Sequence, residues 1–228
     1  MIDLDYIKKR YYKLKKKNEG YDFIGKIFKE IEERYKSEAE KRGKNPQQSW
    51  NSWSGKALQN LITELLKEHI ISSEYKVNLT SDDALRRKKL SKELDQVRRN
   101  IEVFYSKYSI VPDADIIVYS ELDFKVICVF SCKASLRERV AQAAYWKIKL
   151  TQSDGTKNIF YYLVSTDKDK DFEIKKGELS RNRIIVEEGE LDGAYILREI
   201  PESSRVKNFS NIFNDLNRIF EEWFDINK

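Results

Sequence analysis

The spacing of apolar residues along the chain predicts helices at both ends and short strands between them. Apolar side chains recur every three or four positions in six segments, which is the periodicity of an amphipathic helix. The six predicted helices span residues 4–17, 21–42, 55–70, 81–108, 135–150 and 207–225. Polar and aromatic residues at 49–55 predict a loop that leads into the third helix.

Runs of β-branched and aromatic residues predict five strands. They occupy residues 111–119, 125–133, 158–165, 183–186 and 194–197. The first two runs flank the short polar segment 120–123 and therefore predict a β-hairpin. The helix between the second and third runs makes a β-α-β unit, whose two strands pair in parallel. The order of elements predicts an α/β fold with a mixed central β-sheet flanked by helices and a helical N-terminal region.

The chain length of 228 residues fits a single domain over 1–228, large enough to bury a core without disulfide bonds. Its predicted parts are a helical N-terminal region at 1–75, a long basic helix at 81–108, a sheet core at 109–200 and a C-terminal helix at 205–228. Cys128 and Cys132 lie four residues apart on one predicted strand, a span of more than about 12 Å, so they are expected to be reduced.

The charge is high but nearly balanced, with 43 Lys and Arg against 38 Asp and Glu and a net charge of +5. Cations must therefore cluster if they are to bind a polyanion, and the alternative is a densely charged surface exposed to solvent. No run of about 18 apolar residues occurs, so no transmembrane helix is predicted. The first residues, Met1 to Asp5, lack the order of a signal peptide, and we expect a cytoplasmic protein without a membrane partner.

The strongest chemical signal lies in the predicted hairpin, where an acidic pair opens the first strand and a lysine closes the second. Asp113 is expected to pair opposite Ser131. Because side chains alternate faces along a strand, Asp115 and Lys133 would then project from the same face. Carboxylates can hold a divalent cation, and an adjacent lysine can stabilise a nucleophile or help to deprotonate it. The arrangement suits metal-assisted hydrolysis of a phosphodiester.

The pattern P-D-x-D, a turn and then S-C-K-x-S-L-R-E-R resembles the PD-(D/E)XK nuclease superfamily and, more narrowly, the type II restriction endonucleases. The resemblance covers about the middle third of the chain. It implies an endonuclease that requires Mg²⁺, cleaves double-stranded DNA at a short palindromic sequence and leaves 5′-phosphate ends. It also implies a homodimer, with a cognate DNA methyltransferase as the genetic partner.

The resemblance assigns roles to the residues that match the motif. Asp113 would be a Mg²⁺ ligand, with Asp115 as its partner or its neighbour on the strand face. Lys133 would orient and help to deprotonate the attacking water, and would stabilise charge on the phosphorus oxygens. The sequence departs from the family at Ser131, because an Asp or Glu usually stands two residues before the lysine.

A second acidic ligand must then come from another position, or the site is weakened, because a serine hydroxyl is a poor ligand for a hard cation. Asp115 could supply it from the same strand face. Glu138 in the following helix is another candidate, although it also fits a capping box with Ser135 as the N-cap. Gln59 and Glu64 on the third predicted helix are further candidates, and an ordinary packing role is the alternative for both.

Basic and amide residues that could contact DNA fall in two predicted helices. Those of the long helix are Arg86, Arg87, Arg98 and Arg99. Phosphate contacts from this helix would give affinity and salt dependence rather than sequence choice. The alternatives to a DNA contact are a solvent-exposed face or a bridge to a second subunit. In the predicted helix after Lys133 the candidates are Arg137, Arg139 and Gln142, which could reach phosphates or base edges.

Two other functions are open from the sequence. One is a repair or recombination nuclease of the same fold, against which the absence of a nucleotide-binding G-x-x-x-x-G-K-[ST] motif weighs. The other is a catalytically decayed DNA-binding module, which Ser131 keeps open. The sequence contains no His or Cys cluster with metal-ligand spacing and no G-x-S-x-G motif, so zinc sites and serine hydrolases find no support.

Overall fold

The computed structural model describes residues 3–15, 21 and 23–226. Its helices are α1 (Leu4–Lys15), α2 (Phe23–Glu40), α3 (Pro46–Ile71), α4 (Asp82–Leu85), α5 (Lys92–Arg99), α6 (Arg139–Thr151), α7 (Arg181–Glu187) and α8 (Ile212–Ile226). Its strands are β1 (Val77–Thr80), β2 (Val103–Tyr105), β3 (Tyr108–Ile110), β4 (Ile116–Ser120), β5 (Val126–Lys133), β6 (Phe160–Ser165), β7 (Ile174–Lys175), β8 (Glu178–Leu179), β9 (Gly193–Ile196) and β10 (Val206–Asn208). The predicted regions also include residues 1, 2, 16–20, 22, 227 and 228, which lie outside the described residues.

A six-stranded mixed sheet lies at the centre, in the order β1-β4-β5-β6-β9-β10. Strands β1, β4 and β5 pair antiparallel, whereas β5, β6, β9 and β10 pair in parallel. The β2–β3 and β7–β8 hairpins form separate two-stranded sheets. The fold class predicted from the sequence, a mixed sheet flanked by helices with a helical N-terminal region, is confirmed.

The two faces of the sheet bury separate hydrophobic clusters. On one face, Phe130 of β5 belongs to a cluster with apolar residues of α2, α3 and α8, such as Leu58 and Leu216. On the other face, Val129 of β5 belongs to a cluster with residues of α5, α6 and α7, such as Val140. Burial of both faces explains why β5 and β6 are nearly continuous apolar runs in the sequence.

The hairpin of β4 and β5 is shifted by two residues from the pairing predicted between Asp113 and Ser131. Ile116 pairs with Phe130, and continuing this register places Asp115 opposite Ser131. The residue Asp113 precedes β4 altogether. Because side chains alternate with a period of two, a shift of two residues keeps the acidic residues and the lysine of β5 on one face. The predicted pairing of Asp113 with Ser131 is wrong, but Asp113, Asp115 and Lys133 do lie together on one side of the hairpin.

The prediction of one long helix over residues 81–108 is wrong. The segment instead forms α4, α5 and the β2–β3 hairpin. Ser81 caps α4 by accepting from the N–H of Ala84, and Ser91 caps α5 by accepting from the N–H of Leu94. Each hydroxyl takes an N–H group that a continuous helix would bond to a backbone carbonyl, which favours two short helices.

Two further segments are helical where the sequence predicted otherwise. Helix α3 begins at Pro46 with Asn45 as its N-cap, so the loop predicted at 49–55 is part of the helix. The strand predicted at 183–186 lies in α7, which Ser180 caps. A short apolar run has the same appearance in a buried strand and on the buried side of a helix, so periodicity could not separate them.

Helix α6 begins at residue 139 rather than at residue 135. The hydroxyl of Ser135 donates to Asp169 at 3.2 Å instead of capping the helix. Glu138 occupies the N-cap position without a side-chain hydrogen bond, so the predicted capping box is wrong. The positive φ of Arg137, 41°, departs from helical geometry directly before this point.

The predictions for the rest of the chain differ mainly in their boundaries. The C-terminal helix starts at Ile212 rather than at residue 207, because β10 and a 3₁₀ turn precede it. The strands predicted at 158–165 and 194–197 are confirmed as β6 and β9. None of the described helices combines the length and the apolar character that a membrane span requires.

Gly193 in β9 leaves no room for a side chain. An added Cβ would lie 2.8 Å from the carbonyl oxygen of Arg205 and 3.4 Å from the ring of Tyr162. We expect Gly193→Ala to lower the free energy of unfolding by about 1–3 kcal/mol, because the backbone beside β10 must shift. Thermal unfolding followed by circular dichroism measures the effect.

Gly55→Ala in α3 is the matched control. A Cβ at this position meets no atom within 4 Å, so alanine should raise the free energy of unfolding by about 0.5–1 kcal/mol through its higher helix propensity. A Gly193→Ala variant as stable as the wild type would contradict the described packing of β9.

Candidate active site

The lysine that closes β5 lies between the two carboxylates that precede β4. Lys133 Nζ is 3.0 Å from Asp115 Oδ2 and 3.5 Å from Asp113 Oδ2. The lysine side chain is 8% exposed and that of Asp113 is 31% exposed, so the group opens to solvent on the Asp113 side. The structure brings together the three residues on which the predicted chemistry depended.

Hydrogen bonds to the backbone fix the acidic segment against the sheet. Asp115 Oδ2 accepts the N–H of Cys132 at 2.7 Å, which ties the carboxylate to β5. The hydroxyl of Tyr161, on β6, donates to the carbonyl oxygen of Asp113. Burial, together with the charges of the two carboxylates, holds the pKa of Tyr161 well above its usual value, so the hydroxyl stays a donor.

The charge state of Lys133 follows from its surroundings. Burial by itself would lower the pKa of the ammonium, but the carboxylates of Asp115 and Asp113 outweigh that effect and raise the pKa above its usual value. Lys133 is therefore a protonated hydrogen-bond donor in this arrangement.

Gln59 reaches the site from α3 and uses both ends of its amide on protein atoms. Its Nε2 donates to the carbonyl oxygen of Asp115 at 2.7 Å, and its Oε1 accepts from Lys56 Nζ at 3.0 Å. Lys56 also pairs with Asp83 at 3.3 Å. In the structure, Gln59 thus holds the backbone of the acidic segment.

Asp82 and Arg86 hold the same segment from α4 and its C-terminus. Arg86 pairs with Asp82 at 2.7 Å and donates to the carbonyl oxygens of Val111 and Pro112 at 3.1 and 3.2 Å. The N–H of Asp82 donates to the carbonyl oxygen of Ala114 at 3.2 Å. Burial raises the pKa of Asp82, although the charge of Arg86 opposes the shift. Sequence reasoning gave Asp82 no place in the site.

Ser131 and Gln142 differ in their access to the carboxylates. Ser131 is completely buried on β5, with 0% exposure. Gln142 was predicted as a DNA contact, and the structure places its Nε2 3.3 Å from Asp113 Oδ2. An amide from α6 therefore lies beside the more exposed of the two carboxylates.

The remaining acidic candidates lie elsewhere. Glu64 on α3 pairs with Lys8 of α1 at 3.7 Å. Glu138 lines a cavity of about 320 Å³ together with Arg137 and Asp169. The described contacts of Glu64 and Glu138 do not include the lysine at the end of β5.

Asp113 and Asp115 are the side chains that could hold a metal ion. Among residues 3–15, 21 and 23–226, no three His, Cys, Asp or Glu side chains gather as a ligand group. Magnesium commonly uses one or two carboxylates and keeps several waters, so two carboxylates suffice for it. The donor set fits a hard divalent cation.

The arginines predicted to contact DNA differ in how far their charge is neutralised. Arg98 and Arg99 both pair with Asp95, at 2.5 and 2.8 Å. Three others are exposed, namely Arg87, Arg137 and Arg139. In the part of the chain that the structure describes, none of these three pairs with a carboxylate.

Comparison with known proteins finds type II restriction enzymes among the relatives of this chain. The family described as BsaWI restriction endonuclease type 2 matches residues 91–218. The type II restriction enzyme MjaVIP of Methanocaldococcus jannaschii is 41% identical over 174 residues, which are 74% of this chain and 76% of that protein. The type II restriction enzyme HpyAORF263P of Helicobacter pylori is 35% identical over 128 residues, which are 56% of this chain and 65% of that protein.

A solved structure shows the same fold. The complex of restriction endonuclease PspGI with substrate DNA superposes with a TM-score of 0.54 and 18% sequence identity, over 89% of this chain and 81% of that chain. The family match covers more than half of the chain and includes Asp113, Asp115 and Lys133. The chain therefore belongs to the BsaWI family of type II restriction endonucleases.

Proposed function

We propose that this type II restriction endonuclease requires Mg²⁺, cuts both strands of DNA at a short palindromic sequence and leaves 5′-phosphate ends. The observation that carries the proposal is the position of Lys133 between the carboxylates of Asp113 and Asp115, at the ends of two central strands. Membership of the family supports site-specific cleavage of DNA.

Asp113 and Asp115 would hold the magnesium ion. When bound, Mg²⁺ supplies positive charge that polarises a phosphoryl oxygen and favours ionisation of a water molecule. Two hydrogen bonds would keep Asp115 in place. The N–H of Cys132 donates to its carboxylate, and the amide of Gln59 donates to its backbone carbonyl oxygen. Gln142 would constrain the carboxylate of Asp113 from α6.

Lys133 would act as a donor. Its Nζ lies 3.0 Å from Asp115 and 3.5 Å from Asp113, so as an ammonium it would orient the attacking water and stabilise charge that develops on the phosphate oxygens. Help with deprotonation, which the sequence suggested, would then come through a hydrogen bond to the water rather than through uptake of its proton.

Double-stranded DNA is the proposed substrate, and the structural relative PspGI was solved with substrate DNA. The exposed Arg87 would contact phosphates, since no carboxylate of the described chain neutralises it. Arg137 and Arg139, at the start of α6 and close in sequence to Lys133, would contact phosphates or base edges.

A homodimer follows from the proposed palindrome. The described part of one chain carries one such site, and a two-fold DNA sequence matches a two-fold protein that cuts each strand once. We also propose a cytoplasmic location and a cognate DNA methyltransferase that protects the same sequence, as parts of a restriction-modification system.

Digestion of phage DNA by the purified protein with Mg²⁺, followed by sequencing of the ends, tests the proposal. We expect discrete fragments whose ends share one short palindromic sequence and carry 5′-phosphates. DNA methylated within that sequence is the control and should stay intact. Nicking confined to branched DNA would indicate a repair nuclease, and binding without cutting would indicate a decayed DNA-binding module.

Asp113→Ala and Lys133→Ala should each lower the single-turnover cleavage rate by about 10²–10³-fold or more, because the first removes a ligand of the proposed Mg²⁺ and the second removes the ammonium that stabilises charge on the reacting phosphate. DNA binding measured without divalent cation should stay close to that of the wild type. Lys125→Ala is the matched control, since this exposed lysine of the β4–β5 turn pairs with Asp123 and should be dispensable for cleavage. Full activity in both active-site variants would end the assignment.

Arg87→Ala should weaken binding of all DNA sequences alike and reduce the slope of log Kd against log salt by about 0.9, the loss of one phosphate contact. Arg99→Ala is the control, because the charge of Arg99 is already offset by Asp95. Fluorescence anisotropy over a salt series measures both slopes. Equal slopes for the two variants would remove Arg87 from the proposed DNA contact surface.

A further inference from the structure

Two tyrosines and a lysine form a cluster outside the site described above. The hydroxyl of Tyr105, at the end of β2, is 2.7 Å from the hydroxyl of Tyr145 on α6. One turn further along α6, Lys149 places its Nζ 5.4 Å from the centre of the Tyr105 ring and 5.8 Å from that of Tyr145. Two hydroxyls and one ammonium therefore converge, and we call these three residues the tyrosine–lysine cluster.

The tyrosine–lysine cluster has hydrogen-bond donors that its own members do not use. Only one of the two hydroxyls can donate to the other, so the second keeps a hydrogen for an outside acceptor. Lys149 donates to the neutral Gln152 Oε1 at 3.1 Å and forms no ion pair with a described residue. The hydrogen bond with Tyr145 raises the pKa of Tyr105 to about 12, so Tyr105 remains protonated at neutral pH.

The tyrosine–lysine cluster lies on the same side of α6 as the contact to the active site. The amide of Gln142 is 3.3 Å from Asp113. Gln142 is exposed, and so is Tyr145, which lies one turn later on α6. At about 1.5 Å per residue, Lys149 lies about 10 Å along the helix axis from Gln142. Nucleotides of one strand advance by about 3.4 Å along duplex DNA, so this distance corresponds to about three nucleotides.

We propose that the tyrosine–lysine cluster binds a phosphate of the DNA strand a few nucleotides from the bond that is cut beside Lys133. The proposal rests on the proposed function, because the strand must first lie at the two carboxylates. Hydroxyl and ammonium donors match the acceptor oxygens of a phosphate, and its negative charge complements the ammonium. The contact would fix the position of the strand and carry no sequence information.

A second copy of this chain is the competing occupant, because the β2–β3 hairpin that carries Tyr105 also exposes large aromatic side chains. Phe104 and Tyr108 of the β2–β3 hairpin are 66% and 65% exposed. Lys107 lies over the ring of Tyr108 at 5.5 Å, and it forms no ion pair among the described residues. A two-fold contact would bring this positive surface against itself, whereas DNA supplies the missing negative charge.

Binding to an oligonucleotide that contains the cut site, measured in EDTA over a salt series, tests the phosphate contact. Lys149→Gln should reduce the slope of log Kd against log salt by about 0.9. The double variant Tyr105→Phe/Tyr145→Phe should weaken binding about tenfold through the lost hydroxyl donors. Lys157→Gln is the matched control, because this exposed lysine on the loop after α6 pairs with Asp154 and should keep the wild-type slope.

A neutral methylphosphonate at each successive phosphate near the cut locates the contact. One position should weaken binding of the wild type by more than it weakens binding of Lys149→Gln, since both changes remove the charge interaction between this phosphate and the ammonium. An unchanged slope and an unchanged interference pattern in Lys149→Gln would overturn the phosphate contact and leave the proposed function in place.

Light scattering distinguishes the competing occupant. A change from dimer to monomer in the Lys149→Gln or double tyrosine variant would overturn the proposal, because it would assign this surface to a contact between copies. A wild-type protein that binds no DNA at all would overturn the proposed function and the phosphate contact together.

Discussion

The ion pair that joins Lys133 to Asp115 and Asp113 is the interaction on which the rest of the site depends. An ammonium as buried as this one is costly unless carboxylates compensate it, and both of its partners come from the segment that leads into β4. Their position therefore requires the observed register between β4 and β5. A slip of one residue would turn the acidic residues to the other face of the sheet.

Three elements remote from the motif hold the acidic segment in place. Tyr161 of β6 bonds the carbonyl oxygen of Asp113, and Gln59 of α3 bonds that of Asp115. Arg86, which follows α4, bonds the carbonyl oxygens just before the acids. The N-terminal helical region is thus part of the construction of the site, because α3, together with α4 and the residue after it, fixes the backbone from which the carboxylates project.

The sequence predicted those parts of the fold in which local pattern and burial agree. The apolar runs of β5 and β6 are buried on both faces, and their sequences predict strands. The prediction for 81–108 is wrong because the apolar spacing of this segment continues across two helix starts and a hairpin, and the Ser91 cap begins a separate helix. Strand and helix could not be separated at 183–186, where packing against neighbouring elements decides.

For the candidate site, the sequence by itself determined that an acidic pair and a lysine share one face, because the parity of positions along a strand survives a shift of two residues. Only the tertiary structure decided that Gln59 and Arg86 support the backbone of this segment, and that Glu64 and Glu138 lie elsewhere. These contacts join residues 25 or more positions apart, such as Arg86 with Val111. The packing of whole helices against the sheet sets such distances, and no local pattern of residues encodes that packing.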